Sequence, residues 1–256
     1  MPTMSAVPAL QDNYIWFIQN VDAHSVLIVD PGEAEPVFRA LDSQELQPYA
    51  ILVTHGCHDH VDGIRELQSA FSLPVFGPSK DTIPGLTHPV TDGDHLPLPD
   101  SFSPVQVWDI PGHTYGHIGF AIGSNFFCGD TLFGAGCGRL HGTPPQLLFH
   151  SLKKITRLPN ETRLYCAHEY TLANLRFAHL VEPDNPKIVQ RIEKTKRLQH
   201  EGRPSVPSTL AEELETNPFL RCNRPSIKKA VCIHFDTHAD SELAVFTLLR
   251  QWKDQF

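Results

Sequence analysis

Four apolar segments of the chain each lead to a histidine or an aspartate beside turn residues. They are "AILVTHG", "PVQVWDIPGHT", "IGFAIGSNFFCGD" and "TRLYCAHEY". Short apolar runs bounded by Gly, Pro and Asp are typical of β-strands, whereas "VDGIRELQSAF" has the helical spacing of Ile64, Leu67 and Phe71. The segments therefore predict a layered α/β protein in which polar side chains follow the strand ends, where loops carry the chemistry.

The pattern changes near residue 170. Upstream, "NYIWFIQNVDAHSVLIVDPG" predicts two strands around a polar turn. Downstream, "TLANLRFAHLVE", "PKIVQRIEKTKRLQHEG" and "SELAVFTLLRQWK" have apolar residues at helical spacing. A chain of 256 residues with 41% hydrophobic content can bury one large core and a smaller one. We therefore predict a catalytic domain over residues 1–170 and a helical, substrate-binding domain over residues 171–256.

Composition argues against several kinds of partner. The net charge is −8 and no basic patch extends along the chain, so a nucleic-acid ligand is not expected. No segment approaches the roughly 18 apolar residues of a membrane span, and the first residues lack a basic segment followed by an apolar run. The six cysteines form no CxxC pair, which favours reduced thiols. We expect a cytoplasmic monomer that does not bind membranes.

Seven side chains near the predicted strand ends are of types that bind metal ions. One histidine near a strand end is usually packed or solvated, but recurrence at successive strand ends favours a metal centre. Imidazole, carboxylate and thiolate groups are the ligands that zinc prefers, at about 2.0 to 2.3 Å. The seven are His55, Cys57, Asp59, His60, His113, Asp130 and His168.

The sequence resembles hydrolases of the metallo-β-lactamase fold, whose motif is H-x-H-x-D-H followed by a distant His, an Asp and a final His. Over essentially its whole length it resembles more closely the glyoxalase II, or hydroxyacylglutathione hydrolase, family. The matching segments are "LQDNYIW", "IPGHTYGHI", "FCGDTLFGAGCGRL" with "GTP" after it, "CAHEYTLANLRFA" and "NPFLR". The resemblance implies an αββα sandwich with a smaller C-terminal helical domain.

The same resemblance implies a binuclear centre with two zinc ions, although iron or manganese would accept these donors. One metal would be held by His55, residue 57 and His113, and the other by Asp59, His60 and His168. Asp130 would bridge the two. Metal ions lower the pKa of bound water to about 7, and Asp59 would orient the water and accept its proton. The implied reaction is hydrolysis of S-D-lactoylglutathione to glutathione and a 2-hydroxy carboxylate, the second step of methylglyoxal detoxification.

The loop "THGCHDH" departs from the family pattern at two positions. Cys57 stands where the family has histidine, and Gly56 stands where glyoxalase II often has another. Three interpretations stay open: Cys57 binds metal as a thiolate, His58 enters through a rearranged loop, or the first site is weakened while the second is retained.

Four residues are implied as ligands of the glutathione moiety, whose two carboxylates require cations. They are Arg139, Tyr170, Arg221 and Arg224. A second departure follows "GCGRL", where the family has an aromatic and an acidic residue before "GTP" and this chain has only His141. His58, His117 and His141 are not assigned to metal, and His117 is predicted to pack beside the centre.

Two other classes of function compete with the hydrolase. The first is a glutathione-linked persulfide dioxygenase with mononuclear iron, which the altered first site keeps open and the "NPFLR" segment disfavours. The second is a non-catalytic protein that binds metal or glutathione. Retention of six family ligands disfavours this second alternative.

Overall fold

Antiparallel and parallel strand pairs occur in one six-stranded sheet of the computed structural model, which describes residues 2–20, 24–102 and 104–256. Strands β1, β2 and β3 pair antiparallel, and β3 to β6 pair parallel in chain order. The six strands are β1 Thr3–Ala9, β2 Asn13–Gln19, β3 Ser25–Val29, β4 Gln47–Leu52, β5 Val75–Pro78 and β6 His88–Val90. The predicted β2–β3 pair is confirmed, although residues 21–23 of its turn lie outside the described residues.

Helices connect the parallel strands and cover this sheet. Helix α1, Glu35–Ser43, lies between β3 and β4, while α2, His58–Val61, and α3, Ile64–Phe71, lie between β4 and β5. Their apolar side chains join one core with the strands. Burial of each such Leu or Ile side chain stabilises the fold by about 1.5–3 kcal/mol. This core includes Ile51 near the end of β4 and Ile64 and Leu67 of α3, so it holds both elements that flank the loop between them.

A second group of strands follows in the same part of the chain. Strands β7, Val105–Asp109, β8, Ile118–Ile122, and β9, Asn125–Gly129, form an antiparallel meander. The amide of Ile118 donates to the carbonyl of Thr54, with 2.9 Å between N and O. This bond ties the start of β8 to the loop that follows β4.

The remaining elements are mainly helical. They are β10 Leu132–Phe133, β11 Gly136–Cys137, α4 Pro145–Ile155, β12 Arg163–Cys166, α5 Thr171–Val181, α6 Pro186–His200, β13 Ser208–Thr209, α7 Leu210–Thr216, α8 Pro225–Phe235 and α9 Glu242–Gln255. Strands β10 and β11 form a short hairpin, and β12 pairs with β13. Leu175, Ala178 and Ile188 bury a small core together with Ala135 of the hairpin. Helices α5, α6 and α9 confirm the helical segments predicted after residue 170.

The chain divides into two compact units. One comprises Met1–Pro111 and Tyr115–Gly129, and the other comprises Gly112–Thr114 and Asp130–Phe256. The domain limits of 1–170 and 171–256 stay a prediction. Among the described residues, no helix combines the length and the apolar character that crossing a membrane requires.

Candidate metal centre and substrate residues

The loop between β4 and α3 carries four of the predicted metal ligands. His55 and His60 are fully buried, with 4.1 Å between their ring centroids. The carbonyl of Cys57 accepts a hydrogen bond from the amide of His60 at 2.9 Å, which begins helix α2. Asp59 keeps 38% of its side chain exposed, and its Oδ2 lies 3.6 Å from Nε2 of His60. One turn of helix thus directs an imidazole inward and leaves a carboxylate accessible.

A buried carboxylate underlies this loop. Oδ1 and Oδ2 of Asp30 accept hydrogen bonds from the amide and the hydroxyl of Thr54, at 2.7 and 2.8 Å. The Thr54 hydroxyl lies 3.0 Å from Nδ1 of His55, and Oδ2 of Asp30 lies 3.1 Å from Nδ1 of His60. Both histidines therefore have their Nδ1 atoms on the side of Asp30.

The backbone at Asp59 packs directly against the turn after β3. A Cβ atom at Gly32 would lie 2.0 Å from the carbonyl oxygen of Asp59. No real side chain tolerates so short a distance, so this position requires glycine. The "DPG" segment that follows β3 therefore packs directly against the backbone of Asp59.

The histidines not assigned to metal take separate positions. The His117 ring is buried and stacks on the ring of His55 at 4.5 Å, which confirms its predicted packed role. The His58 side chain is 94% exposed, with Nδ1 3.1 Å from Oδ1 of Asp62. This arrangement disfavours the interpretation in which His58 replaces Cys57. His141 lies edge-on to His113, with ring centroids 4.5 Å apart.

The second unit holds the other three predicted ligands. Oδ2 of Asp130 lies 3.6 Å from Nε2 of His113, and Oδ1 of Asp130 lies 3.5 Å from Nε2 of His168. Each carboxylate oxygen therefore faces a different imidazole. Nδ1 of His113 is 2.9 Å from the carbonyl oxygen of Arg139. Because a carbonyl only accepts hydrogen bonds, Nδ1 of His113 carries the proton and Nε2 presents its lone pair.

The "GTP" segment supports the turn that carries His113. The hydroxyl of Thr143 donates a hydrogen bond to the carbonyl oxygen of Gly112. Gly112 has φ +151°, and a Cβ atom there would lie 2.5 Å from Cα of Leu148 in α4. The glycine is thus required by both its conformation and its packing.

The donor set fits a metal of zinc or iron type. It combines four imidazoles, two carboxylates and one thiol, which are the ligands those metals accept. All but Cys57 and Asp59 are buried. The candidate metal-binding residues of the structure include His55, Cys57, Asp59 and His60 in the first unit, and His113, Asp130 and His168 in the second.

The predicted glutathione ligands differ in their exposure and in the residues that they contact. The Tyr170 ring stacks on the His168 ring at 4.6 Å, and Arg139 and Arg224 are exposed. Arg221 instead makes two hydrogen bonds of 3.0 Å to the carboxylate of Glu182 and one of 3.2 Å to the carbonyl of Leu214. Its role as a glutathione ligand stays a prediction.

Lys253 is a cation that the sequence analysis missed. Its Nζ lies 5.3 Å from the ring centroid of Phe177 and 4.9 Å from that of Phe256. Burial, followed by repulsion from Arg250 and Arg139, lowers the pKa of Lys253 to about 8. A group of like charges of this kind favours an anion as its ligand. The available signal was the three-residue spacing of Arg250 and Lys253, which places both on one helical face.

Both parts of the chain match known protein families. Residues 10–168 match the model of the metallo-beta-lactamase superfamily, and residues 169–256 match the model of the hydroxyacylglutathione hydrolase C-terminus. The chain is 46% identical to hydroxyacylglutathione hydrolase of Nitrosomonas europaea, over 98% of this chain and 95% of that one. It is 49% identical to hydroxyacylglutathione hydrolase of Photobacterium profundum, over 100% of both chains.

A solved structure is similar over part of the chain. TTHA1623, crystallised in a di-iron-bound form, has 31% sequence identity and a TM-score of 0.55, with 65% of this chain and 91% of that one covered. The chain therefore has the α/β fold of the metallo-β-lactamase superfamily, followed by a helical C-terminal region. Within that superfamily, the chain belongs to the hydroxyacylglutathione hydrolase family.

Proposed function

We propose that the chain hydrolyses the thioester bond of S-(2-hydroxyacyl)glutathione, with S-D-lactoylglutathione as its substrate. The products are glutathione and a 2-hydroxy carboxylate, and the reaction is the second step of methylglyoxal detoxification. The observation that carries this proposal is the full-length identity of 46% to 49% with relatives named hydroxyacylglutathione hydrolase. The dioxygenase and the non-catalytic alternatives gain no support from that relationship.

We propose two metal ions, held by residues of this chain. His55, Cys57 and His113 would hold one, and Asp59, His60 and His168 would hold the other, with Asp130 binding both. Zinc suits these donors, while the di-iron form of TTHA1623 supports iron as an alternative. When bound, such ions supply Lewis acidity, which lowers the pKa of water to about 7.

The proposed role of Asp59 is to orient the attacking water and accept its proton. Its side chain is partly exposed, so a substrate can approach it, and Asn13 occupies Oδ2 with a hydrogen bond of 3.0 Å. The leaving group is a thiol, whose pKa of about 8.5 allows it to depart without a proton donor.

The substrate's carboxylates require cations, which we propose are supplied by Arg139 and Lys253. The charge of Arg139 is one cause of the lowered pKa of Lys253, and a carboxylate between them would relieve their repulsion. Tyr170 would contact the peptide beside His168. Arg221 and Arg224 stay predicted ligands, and the cytoplasmic location and the monomeric state stay predictions.

The test is turnover of S-D-lactoylglutathione by zinc-supplemented protein, compared with metal-stripped protein. We expect hydrolysis with zinc, none after metal removal, and none from Asp59→Ala in either preparation. Oxygen uptake with glutathione persulfide by iron-loaded protein, in the absence of any hydrolysis, would replace this proposal with the dioxygenase. Folded, metal-loaded protein without either reaction would favour a binding protein.

A further inference from the structure

We infer that Glu213 is a positioning residue, whose buried carboxylate fixes the turn of the β10–β11 hairpin and thereby places Asp130 before the hairpin and Arg139 after it. The inference rests on the proposed function for the metal-binding role of Asp130 and the substrate-binding role of Arg139. Glu213 acts on both residues through the backbone of the hairpin.

The Glu213 carboxylate is fully buried and surrounded by hydrogen-bond donors. Oε1 accepts from the Arg191 guanidinium and, at 2.6 Å, from the Ser208 hydroxyl. Oε2 accepts from the amide of Ala135 at 2.8 Å and from the side-chain amide of Asn217 at 3.0 Å. Burial acts to lower the pKa of Arg191, but the charge and the hydrogen bond of Glu213 outweigh burial and raise it. Oε1 therefore faces α6 and β13, whereas Oε2 faces the hairpin.

The turn of the hairpin, residues 133–136, relies on side chains for its hydrogen bonds. Nδ2 of Asn217 donates to the carbonyl of Gly136 at 2.9 Å. Ala135 has φ +55°, a left-handed conformation that alanine adopts only at a cost in free energy. Glu213 binds the amide of this strained alanine and also holds the side-chain amide of Asn217. One carboxylate thus acts on the turn directly and through a second side chain.

Both ends of the hairpin lead directly to residues of the proposed site. Asp130 lies two residues before β10, and Gly138 and Arg139 follow β11. A Cβ atom at Gly138 would lie 2.1 Å from the carbonyl oxygen of Asp130, so the two ends of the hairpin pack closely together. The carbonyl of Arg139 accepts a hydrogen bond of 2.9 Å from Nδ1 of His113. A shift of the turn would therefore displace two proposed metal ligands and one proposed substrate ligand.

Glu213→Gln should release the turn while it preserves the shape of the side chain. The amide oxygen of glutamine should face the Arg191 guanidinium, because a hydrogen bond to a charged group is about twice as strong as a neutral one. The NH2 group then faces the amide of Ala135, and two donors cannot form a hydrogen bond with each other. The turn loses its partner, and Asp130 and Arg139 lose their fixed position.

Two further variants complete the experiment. Ser208→Ala removes a donor to the same carboxylate on its Oε1 side, away from the hairpin, and is the matched control. Asn217→Ser removes the side-chain amide that binds the turn. Its hydroxyl can still accept from the amide of Phe219, as Oδ1 of Asn217 does at 3.1 Å. Asn217→Ser therefore carries the test if Glu213→Gln does not fold.

Hydrogen exchange of the Ala135 amide in metal-free protein is the first readout. We express its rate relative to the amides of α5 in the same sample, so that a general loss of stability cancels. This relative rate should rise about 10-fold or more in Glu213→Gln and in Asn217→Ser, because the turn opens locally. In Ser208→Ala it should stay within about 2-fold of the wild-type value, because the Oε2 contacts are intact.

Zinc affinity, measured by chelator competition, and KM are the second and third readouts. We expect Glu213→Gln and Asn217→Ser to bind zinc about 10- to 100-fold more weakly than Ser208→Ala does. They should raise KM for S-D-lactoylglutathione more than for S-D-lactoyl-N-acetylcysteamine, which has no carboxylate for Arg139 to bind.

The same exchange rates, zinc affinities and KM ratios in all three variants, with only a lower melting temperature, would overturn the inference and make Glu213 merely structural. Hydrogen exchange and zinc binding need no substrate. Failure of the proposed hydrolysis would therefore leave both results readable on their own.

Discussion

The side-chain amide of Asn13 donates a hydrogen bond to the carboxylate of Asp59, with 3.0 Å between Nδ2 and Oδ2. The same nitrogen lies 3.4 Å from the carbonyl oxygen of Asp59. Asn13 begins strand β2 and is 7% exposed, so the position of Asp59 is coupled to the start of this strand in the six-stranded sheet. Besides forming part of a strand, the "LQDNYIW" segment therefore holds the carboxylate of Asp59 in position.

Loss of this contact should reduce turnover more than substrate binding. We expect Asn13→Ala to lower kcat about 10- to 100-fold, because the carboxylate that is proposed to orient the attacking water loses a hydrogen-bond donor. KM should change little, since Asn13 is not among the proposed glutathione ligands. Steady-state kinetics with S-D-lactoylglutathione, together with the zinc content, test this. An unchanged kcat at full zinc content would argue against the orienting role.

Replacement of Cys57 tests whether its thiol binds metal. Cys57→His restores the family's ligand and should preserve or raise hydrolysis, while Cys57→Ser should weaken one zinc site because a hydroxyl is a poorer ligand than a thiolate. Cobalt-substituted wild-type protein should have a thiolate-to-metal charge-transfer band that both variants lack. A large loss of activity in Cys57→His would mean that the thiol has a role of its own.

The lowered pKa of Lys253 predicts a loss of substrate binding in alkaline solution. Its pKa of about 8 means that the ammonium group is present below that pH and is lost above it. We therefore expect kcat/KM for S-D-lactoylglutathione to fall above about pH 8, since kcat/KM reports groups of the free enzyme. Lys253→Met should have a low kcat/KM that does not fall further above about pH 8. Lys253→Arg, which keeps its charge, should move the fall to higher pH.

The ion pair between Arg221 and Glu182 should contribute to stability in a pH-dependent way. Burial acts to raise the pKa of Glu182, but hydrogen bonds from Arg221 and Ser226 and the charge of Arg221 outweigh it and lower the pKa below the ordinary 4.5. The contribution of this ion pair to the free energy of unfolding is therefore complete above pH 4.5. It is lost as the pH falls through the lower pKa that Glu182 has in the folded protein. We expect Glu182→Gln to lower the free energy of unfolding by about 1–3 kcal/mol at neutral pH.

Urea unfolding of wild type and Glu182→Gln on both sides of pH 4.5 measures this contribution. The difference between the two proteins should shrink in acid, where the wild-type carboxylate becomes protonated. A difference that stays constant with pH would assign the stabilisation to packing. The kinetic constants of Glu182→Gln also bear on Arg221, because a change in KM would favour its predicted role as a glutathione ligand.

The sequence predicted those features that local patterns determine. Strands β4, β7, β9 and β12 end shortly before His55, His113, Asp130 and His168, because apolar runs and turn residues mark strand ends. Strand β1 was not predicted, since Pro8 interrupts its pattern. Proline is tolerated there because β1 lies at the edge of its sheet.

The supporting contacts of the site could not be predicted in this way. Asn13 and Asp59 are 46 positions apart, and Asp30 and Thr54 are 24 positions apart. A local sequence pattern does not indicate which distant polar groups form hydrogen bonds with one another. The lowered pKa of Lys253 likewise depends on burial and on two arginines, of which Arg139 comes from a distant part of the sequence. Residue types predicted the candidate metal donors, and only the fold revealed the residues that contact them.

Helix α7 and the β10–β11 hairpin share a buried set of polar contacts. The side-chain amide of Asn217 in "NPFLR" donates to the carbonyl of Gly136 at 2.9 Å, and Glu213 accepts from the amide of Ala135 at 2.8 Å. The side chains of both Asn217 and Glu213 are fully buried.

Anyone who grafts this hairpin onto another scaffold must therefore transfer its helical partner too. Without Glu213, the buried amide of Ala135 would lose this hydrogen bond, at a cost of about 1–3 kcal/mol, and without Asn217 the carbonyl of Gly136 would lose one as well. Arg139, the proposed substrate ligand, lies two residues after the hairpin, so a graft meant to carry it would need α7 as well as the hairpin.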